Sequence, residues 1–131
     1  MTLHYTALVT MLSMLLFFFL SFKVGQARGK YNIQAPATTG NPDFERVFRV
    51  HYNTMESLVL HLPSLWLFAF YISDCYAAIL GGVWILGRAL YAKTYYADAS
   101  KRGPGVIIST IATAILMLGA LGAVAKTLLM H

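Results

Sequence analysis

Apolar positions run almost without interruption from Tyr5 to Phe22, and the first charge beyond them is Lys23. Crossing the hydrocarbon of a bilayer takes about 20 such residues, so the pattern predicts a helix over residues 5–24. The stretch from Gly25 to Asp43 is polar and carries Pro36, Thr38, Thr39, Gly40, Asn41 and Pro42, punctuation that reads as a loop. A second helix is predicted over 43–72. Its first half is polar, its second half from Leu58 to Tyr71 is apolar and aromatic, and Pro63 inside it is expected to kink it. Ser73 and Asp74 make a short turn. A third helix over 75–99 starts apolar and ends in Arg88, Tyr91, Lys93, Tyr95 and Tyr96. Arg102-Gly103-Pro104-Gly105 reads as a breaker, and a fourth helix over 106–129 is nearly all apolar, with Gly119 and Gly122 as small residues suited to close helix contact. The expected fold is all-α: a single domain formed by a bundle of four transmembrane helices.

Composition sharpens this picture. Of the 131 residues, 58% are hydrophobic and 11% charged, against about 25% charged in an ordinary soluble domain. So few charges cannot cover a water-facing surface, and lipid becomes the expected solvent. A formal net charge of +5 would suggest nucleic acid as the partner of a soluble protein. Here the basic residues gather around two loops instead: Lys23, Arg28, Lys30, Arg46 and Arg49 at the first, and Arg88, Lys93, Lys101 and Arg102 at the third. That distribution fits anchoring beside lipid headgroups, and places both loops on the cytoplasmic side with the termini opposite. The first apolar run is followed by its positive charges, the reverse of a secretory signal, and is read as a retained helix. The membrane itself, bacterial inner membrane or endoplasmic reticulum, stays open. Cys75 is the one cysteine, so there is no internal disulfide, and no Cys/His spacing suits a metal.

The chemistry is concentrated where ionisable residues fall within the apolar framework. Such groups are costly at membrane depth and normally face a protein interior or an aqueous cavity. Arg46, Arg49, Asn53 and Glu56 are spaced three, four and three apart, which confines them to an arc of roughly 80° on a helix. Arg88, Tyr91, Tyr95, Asp98 and Arg102 repeat the pattern on the third helix, provided that the helix persists to its last turn. Two stripes at the same membrane level predict one shared pocket. Guanidinium forks match carboxylates bidentately and Glu56 suits an ammonium, so the mixture fits a zwitterionic ligand with more than one carboxylate. Neither a hydrolytic triad nor a Gly-rich phosphate loop is present.

The run from Gly40 to Glu56, with its core Phe44-Glu45-Arg46-Val47-Phe48-Arg49-Val50-His51-Tyr52-Asn53-Thr54-Met55-Glu56, resembles the hallmark of the MAPEG family, the membrane-associated proteins in eicosanoid and glutathione metabolism. Arg88 to Tyr91 and on to Tyr95 looks like that family's second element, and the segment 87–102 is similar to the third type of microsomal glutathione transferase. The resemblance implies a homotrimer of four-helix subunits, with glutathione as co-substrate bound between neighbours and open to the cytosol. It implies that Arg28, Arg49, His51, Asn53, Glu56, Tyr91, Tyr95 and Arg102 contact glutathione, that Arg88 supports them, and that Ser57 occupies a contacting position held by tyrosine in leukotriene-forming synthases. Arg102 matches the arginine thought to activate the thiol, the catalytic role expected here. Gly29, where those synthases carry a second arginine, and Ser57 argue against that specialised activity. The implied function is conjugation of the glutathione thiolate to hydrophobic electrophiles arriving from membrane lipid, with reduction of lipid hydroperoxides as a side activity. A non-catalytic lipid-binding scaffold of the same family is the alternative, and a small channel is a third reading, since intramembrane charges also line conduction paths.

Overall fold

The computed structural model describes residues 2–101 and 103–131. Four long helices follow one another: α1 (His4–Tyr31), α2 (Pro42–Tyr71), α3 (Asp74–Ala97) and α4 (Gly103–Leu129), with a short 3₁₀ turn, Ala99–Lys101, between the last two. Among them α1, α3 and α4 are long and apolar enough to cross a membrane. The helix α2, which carries Arg46, Arg49, Glu56 and His61, is less apolar. The helices α2 and α3 form the central pair, and each packs against both α1 and α4.

The helix ends differ from the sequence expectation at three places. The first helix does not stop at Val24 but continues to Tyr31, because Val24 and Ala27 bury against Phe44 of α2. Its stop signal is Asn32, in the left-handed conformation at φ 59° and ψ 43°, whose N–H donates to the Arg28 carbonyl. Asparagine tolerates that conformation, whereas Gly25 and Gly29 sit inside the helix. The third helix ends at Ala97, with Asp98 extended at φ −159°. The breaker Gly103-Pro104-Gly105 turns out to open α4, since proline is tolerated in a first helical turn. The second helix starts as its sequence suggests. The Asn41 Oδ1 accepts from the N–H groups of Asp43 and Phe44 at 2.9 and 3.1 Å, and Pro42 follows at the first helical position. It continues through Pro63 to Tyr71.

The interior is layered. Toward the termini, Val9, Leu65, Phe68, Ala77, Leu116 and Ala120 pack together. Leu58, Trp84 and Ala112 follow, then Leu20, Val50, Tyr91, Ala92 and Tyr95, and last Val24, Ala27 and Phe44 beneath the first loop. Many large apolar side chains point outward instead, among them Leu15, Phe18, Leu86 and Leu121, as expected where the surrounding solvent is lipid. The closest helix contact is that of α3 with α4. A Cβ at Gly87 would lie 2.8 Å from the Ser109 backbone nitrogen, and one at Gly105 would lie 2.6 Å from Tyr91 Cα. The glycines singled out in the sequence serve less: Gly119 meets the Phe68 ring, and Gly122 has nothing within 4 Å.

Asp74 holds the end of the bundle together. The N-cap residue of α1, Leu3, provides no side-chain hydrogen bond. The Asp74 carboxylate, on the first turn of α3, accepts from the Thr6 N–H at 2.8 Å, the Thr6 hydroxyl at 2.6 Å and the Tyr5 N–H at 3.2 Å. It thereby satisfies donors that an uncapped helix leaves orphaned, and does so from another helix. Asp74→Ala is expected to lower the thermal midpoint of the purified protein by a few degrees. An unchanged midpoint would show that this tie contributes no stability.

Candidate functional site

Arg46, Arg49, Asn53 and Glu56 of α2 and Arg88, Tyr91 and Tyr95 of α3 face the same space, and Val106, Thr110, Thr113 and Met117 of α4 form its far wall. Thr38 and Thr39 of the first loop, Glu45, Arg46 and Arg49 of α2, and Tyr95 of α3 line a cavity of 430 Å³. Arg49 and Tyr95 also line the next, of 220 Å³, together with Asn53, Tyr91 and Val106. Asn53 and Val106 recur in a third, of 330 Å³, with Glu56, Ser57, Leu60, Arg88, Thr110, Thr113 and Met117 around it. Met117 recurs in a fourth, of 320 Å³, otherwise lined by Ser64, Leu67, Ala120, Leu121 and Val124. The shared lining residues join these cavities into one groove between α2 and α4. It is charged at the loop end and apolar toward the opposite membrane face.

Arg88 is the centre of its charged part. It is 3% exposed, and its Nη1 donates to the Asn53 Oδ1 at 2.6 Å. The guanidinium also stands 5.1 Å from the Tyr91 ring centroid, an arrangement that attracts a cation to the ring face. Among the described residues its Nε has no hydrogen-bond partner, and no carboxylate lies within ion-pair range of it. A buried cation left in this state is costly, and an anion in the adjoining groove would compensate it. Tyr91 and Tyr95 lie with ring centroids 5.4 Å apart. The one ion pair among the described residues joins Arg46 to Asp43.

The structure thus brings Arg49, Asn53, Glu56, Ser57, Arg88, Tyr91 and Tyr95 to one groove. It does not bring Arg28 or His51 there. The His51 Nε2 lies 2.8 Å from the Ser21 hydroxyl of α1, and the ring stacks on Phe17 at 4.7 Å. Two positions beyond Arg49, it stands roughly 200° around the helix and so faces α1. Arg28, at the end of α1, donates to the Ala37 carbonyl at 2.8 Å and lies over the Phe44 ring. Asp98 leaves the α3 stripe where the helix ends, and its carboxylate accepts from the N–H and hydroxyl of Ser100 at 2.9 and 2.8 Å. Those two bonds, aided by the nearby charges of Lys101 and Arg46, hold the Asp98 carboxyl below its ordinary value. The expected catalytic residue, Arg102, lies outside the described residues. The far wall was missed in the sequence, although Thr110 and Thr113, three apart on an otherwise apolar helix, were a legible signal. Trp84, which donates to the Ser57 hydroxyl from behind the groove, gave no such signal.

Comparison with known proteins gives the chain a family. The chain is 54% identical over 115 residues, 88% of its length, to an uncharacterized protein of Synechocystis, 84% of which is covered. It is 42% identical over 105 residues to human microsomal glutathione S-transferase 2, covering 79% of this chain and 71% of that protein. It is 35% identical over 123 residues to bovine leukotriene C4 synthase, covering 93% and 84%. The MAPEG family model matches residues 6–122. Both hallmark runs lie inside that span and meet across a single groove, and the chain belongs to the MAPEG family of integral membrane proteins.

Proposed function

We propose that the protein is a membrane-embedded glutathione transferase. The observation that carries this reading is Arg88: a buried guanidinium, bonded to a neutral carboxamide and open to a groove that also presents Arg49, two phenols and Glu56. Glutathione carries two carboxylates, an ammonium and a thiol, and its charged ends complement that set. The relatives named for glutathione transfer and leukotriene C4 synthesis support the same ligand. The apolar continuation past Met117 suits a hydrophobic electrophile held in line with the sulfur. Conjugation forms a C–S bond as a leaving group departs with its bonding pair, or as the π pair of a conjugated double bond shifts onto the electrophile's own oxygen and takes up a proton. In the side reaction, two glutathiones reduce a hydroperoxide to an alcohol and water and leave as the disulfide.

In this reading α2 crosses the membrane with its three neighbours, and the charged end of the groove faces the cytoplasm beside the basic loops. Arg28 and His51 lie on the α1 side, away from the groove of their own chain. Held between neighbouring copies of a homotrimer, glutathione would meet Arg49 of one subunit and the Arg28 and His51 side of the next.

Purified protein mixed with glutathione is expected to develop the ultraviolet absorbance of a thiolate and to conjugate a hydrophobic aryl halide. Binding without thiolate absorbance would turn the reading to the lipid-binding scaffold. Absence of both binding and conjugation would overturn it.

A further inference from the structure

Ser57 stands where the groove changes character. On one side of it along α2 are Asn53 and Glu56, with Arg88 across from them; on the other, Leu60 and then Met117 of α4 begin the apolar part. The Trp84 Nε1 donates to its hydroxyl oxygen at 3.0 Å. An indole nitrogen can only donate, so the Ser57 oxygen is the acceptor and its own hydrogen must seek an acceptor elsewhere. Serines within these helices ordinarily send that hydrogen to the carbonyl four residues back. Ser13, Ser21, Ser64 and Ser109 all do so, at 2.7 to 3.1 Å. Ser57 does not, and among the described residues its hydroxyl hydrogen has no acceptor. Trp84 is fixed in turn. It is fully buried, and its ring stacks on that of His61 at 4.4 Å and 8°.

We propose, resting on the glutathione reading above, that Trp84 is a positioning residue that commits the Ser57 hydroxyl to donate into the groove, so that the site takes a ligand atom bearing negative charge at the level of Ser57. Two sources supply such an atom: the thiolate sulfur of glutathione, and the oxygen of an electrophile that becomes an oxyanion as sulfur adds. In a conjugated aldehyde, the C–S bond forms, the C=C π bond breaks, and the electron pair ends on the carbonyl oxygen, which then takes a proton from water. In an alkyl iodide, the C–S bond forms as C–I breaks and the charge leaves as iodide, so no oxygen needs a donor.

The test compares the full-length wild type with Ser57→Ala, Trp84→Phe and the double variant. Phenylalanine keeps a ring against His61 but removes the N–H, which frees the Ser57 hydroxyl to turn back to its own helix. One readout is the pH midpoint of thiolate absorbance in the glutathione complex. The other is the ratio of kcat/KM for a long-chain conjugated aldehyde to that for an alkyl iodide of matched length. If the acceptor is sulfur, both single variants raise the midpoint by about one pH unit, a tenfold change. If it is the substrate's oxygen, both lower the ratio about tenfold, the effect of one hydrogen bond to a charged atom. In either case the double variant goes no further than Ser57→Ala. If both readouts stay at wild-type values in Ser57→Ala, or move there but not in Trp84→Phe, the proposal is overturned. A wild type that forms no thiolate and conjugates neither substrate overturns the glutathione reading itself, an outcome distinct from unmoved variants.

Discussion

Arg102→Ala is expected to slow glutathione conjugation about a hundredfold at neutral pH while weakening glutathione binding far less. The expectation comes from charge. A fixed cation beside a thiol favours its ionised form, and the thiolate is the nucleophile. A preorganised group aimed at the reacting charge is worth on the order of 10²–10³ in rate. Arg102 stands four positions before Val106, which lines the two central cavities of the groove. The pH dependence separates this role from simple damage to the site. With the cation removed, the thiol returns toward its ordinary value of about 8.5, so the variant's rate should climb through the alkaline range in which the wild type has levelled off. Arg102→Lys keeps the charge and should recover part of the loss. Equal turnover in wild type and Arg102→Ala, with glutathione bound in both, would remove Arg102 from the chemistry.

The second large effect is structural. Gly105→Ala places a methyl group 2.6 Å from Tyr91 Cα and 2.7 Å from the Gly87 carbonyl oxygen. These are backbone atoms of a packed helix and cannot step aside as a flexible side chain could. Overpacking a core commonly costs about 1–3 kcal/mol, and backbone contact puts this site at or above the upper end. The thermal midpoint should fall by about ten degrees, and any protein that remains folded should bind glutathione poorly, because Tyr91 is part of the groove wall. Gly122→Ala is the natural control, since a methyl there meets open space within the chain. If Gly105→Ala melts with the wild type, the two helices are not in backbone contact at this point.

Several of these features were legible in the sequence, for definite reasons. A three-four spacing of Arg49, Asn53 and Glu56 fixes a helical face whatever the neighbours do, and those residues do line one groove with Arg88, Tyr91 and Tyr95. The start of α2 could be read because Asn41-Pro42 is a local signal that acts through its own backbone. Helix ends set by tertiary contact could not. Gly25 looked like a stop, yet burial of Val24 and Ala27 under Phe44 carries α1 on to Asn32. Asp74 read only as part of a short turn, because its partners Tyr5 and Thr6 are nearly seventy positions away in sequence. His51 and Arg28 were grouped with the site by resemblance, and within this chain they turn to Ser21 of α1 and to Ala37 of the first loop instead. The contact of Gly87 with Gly105 was hidden because the segment around Gly105 read as an interruption, when it is the first turn of α4.

The apolar end of the groove has a kinetic corollary. Leu67, Met117 and Leu121 line it and are exposed at the surface of the single chain, so in the proposed transferase a reactant dissolved among acyl chains would meet the site sideways, without passing through water. For such a compound, bulk molarity is the wrong measure of concentration. Its mole fraction in the bilayer sets how often it is encountered, and adding inert lipid at constant total reactant would dilute it as surely as adding buffer dilutes a soluble one.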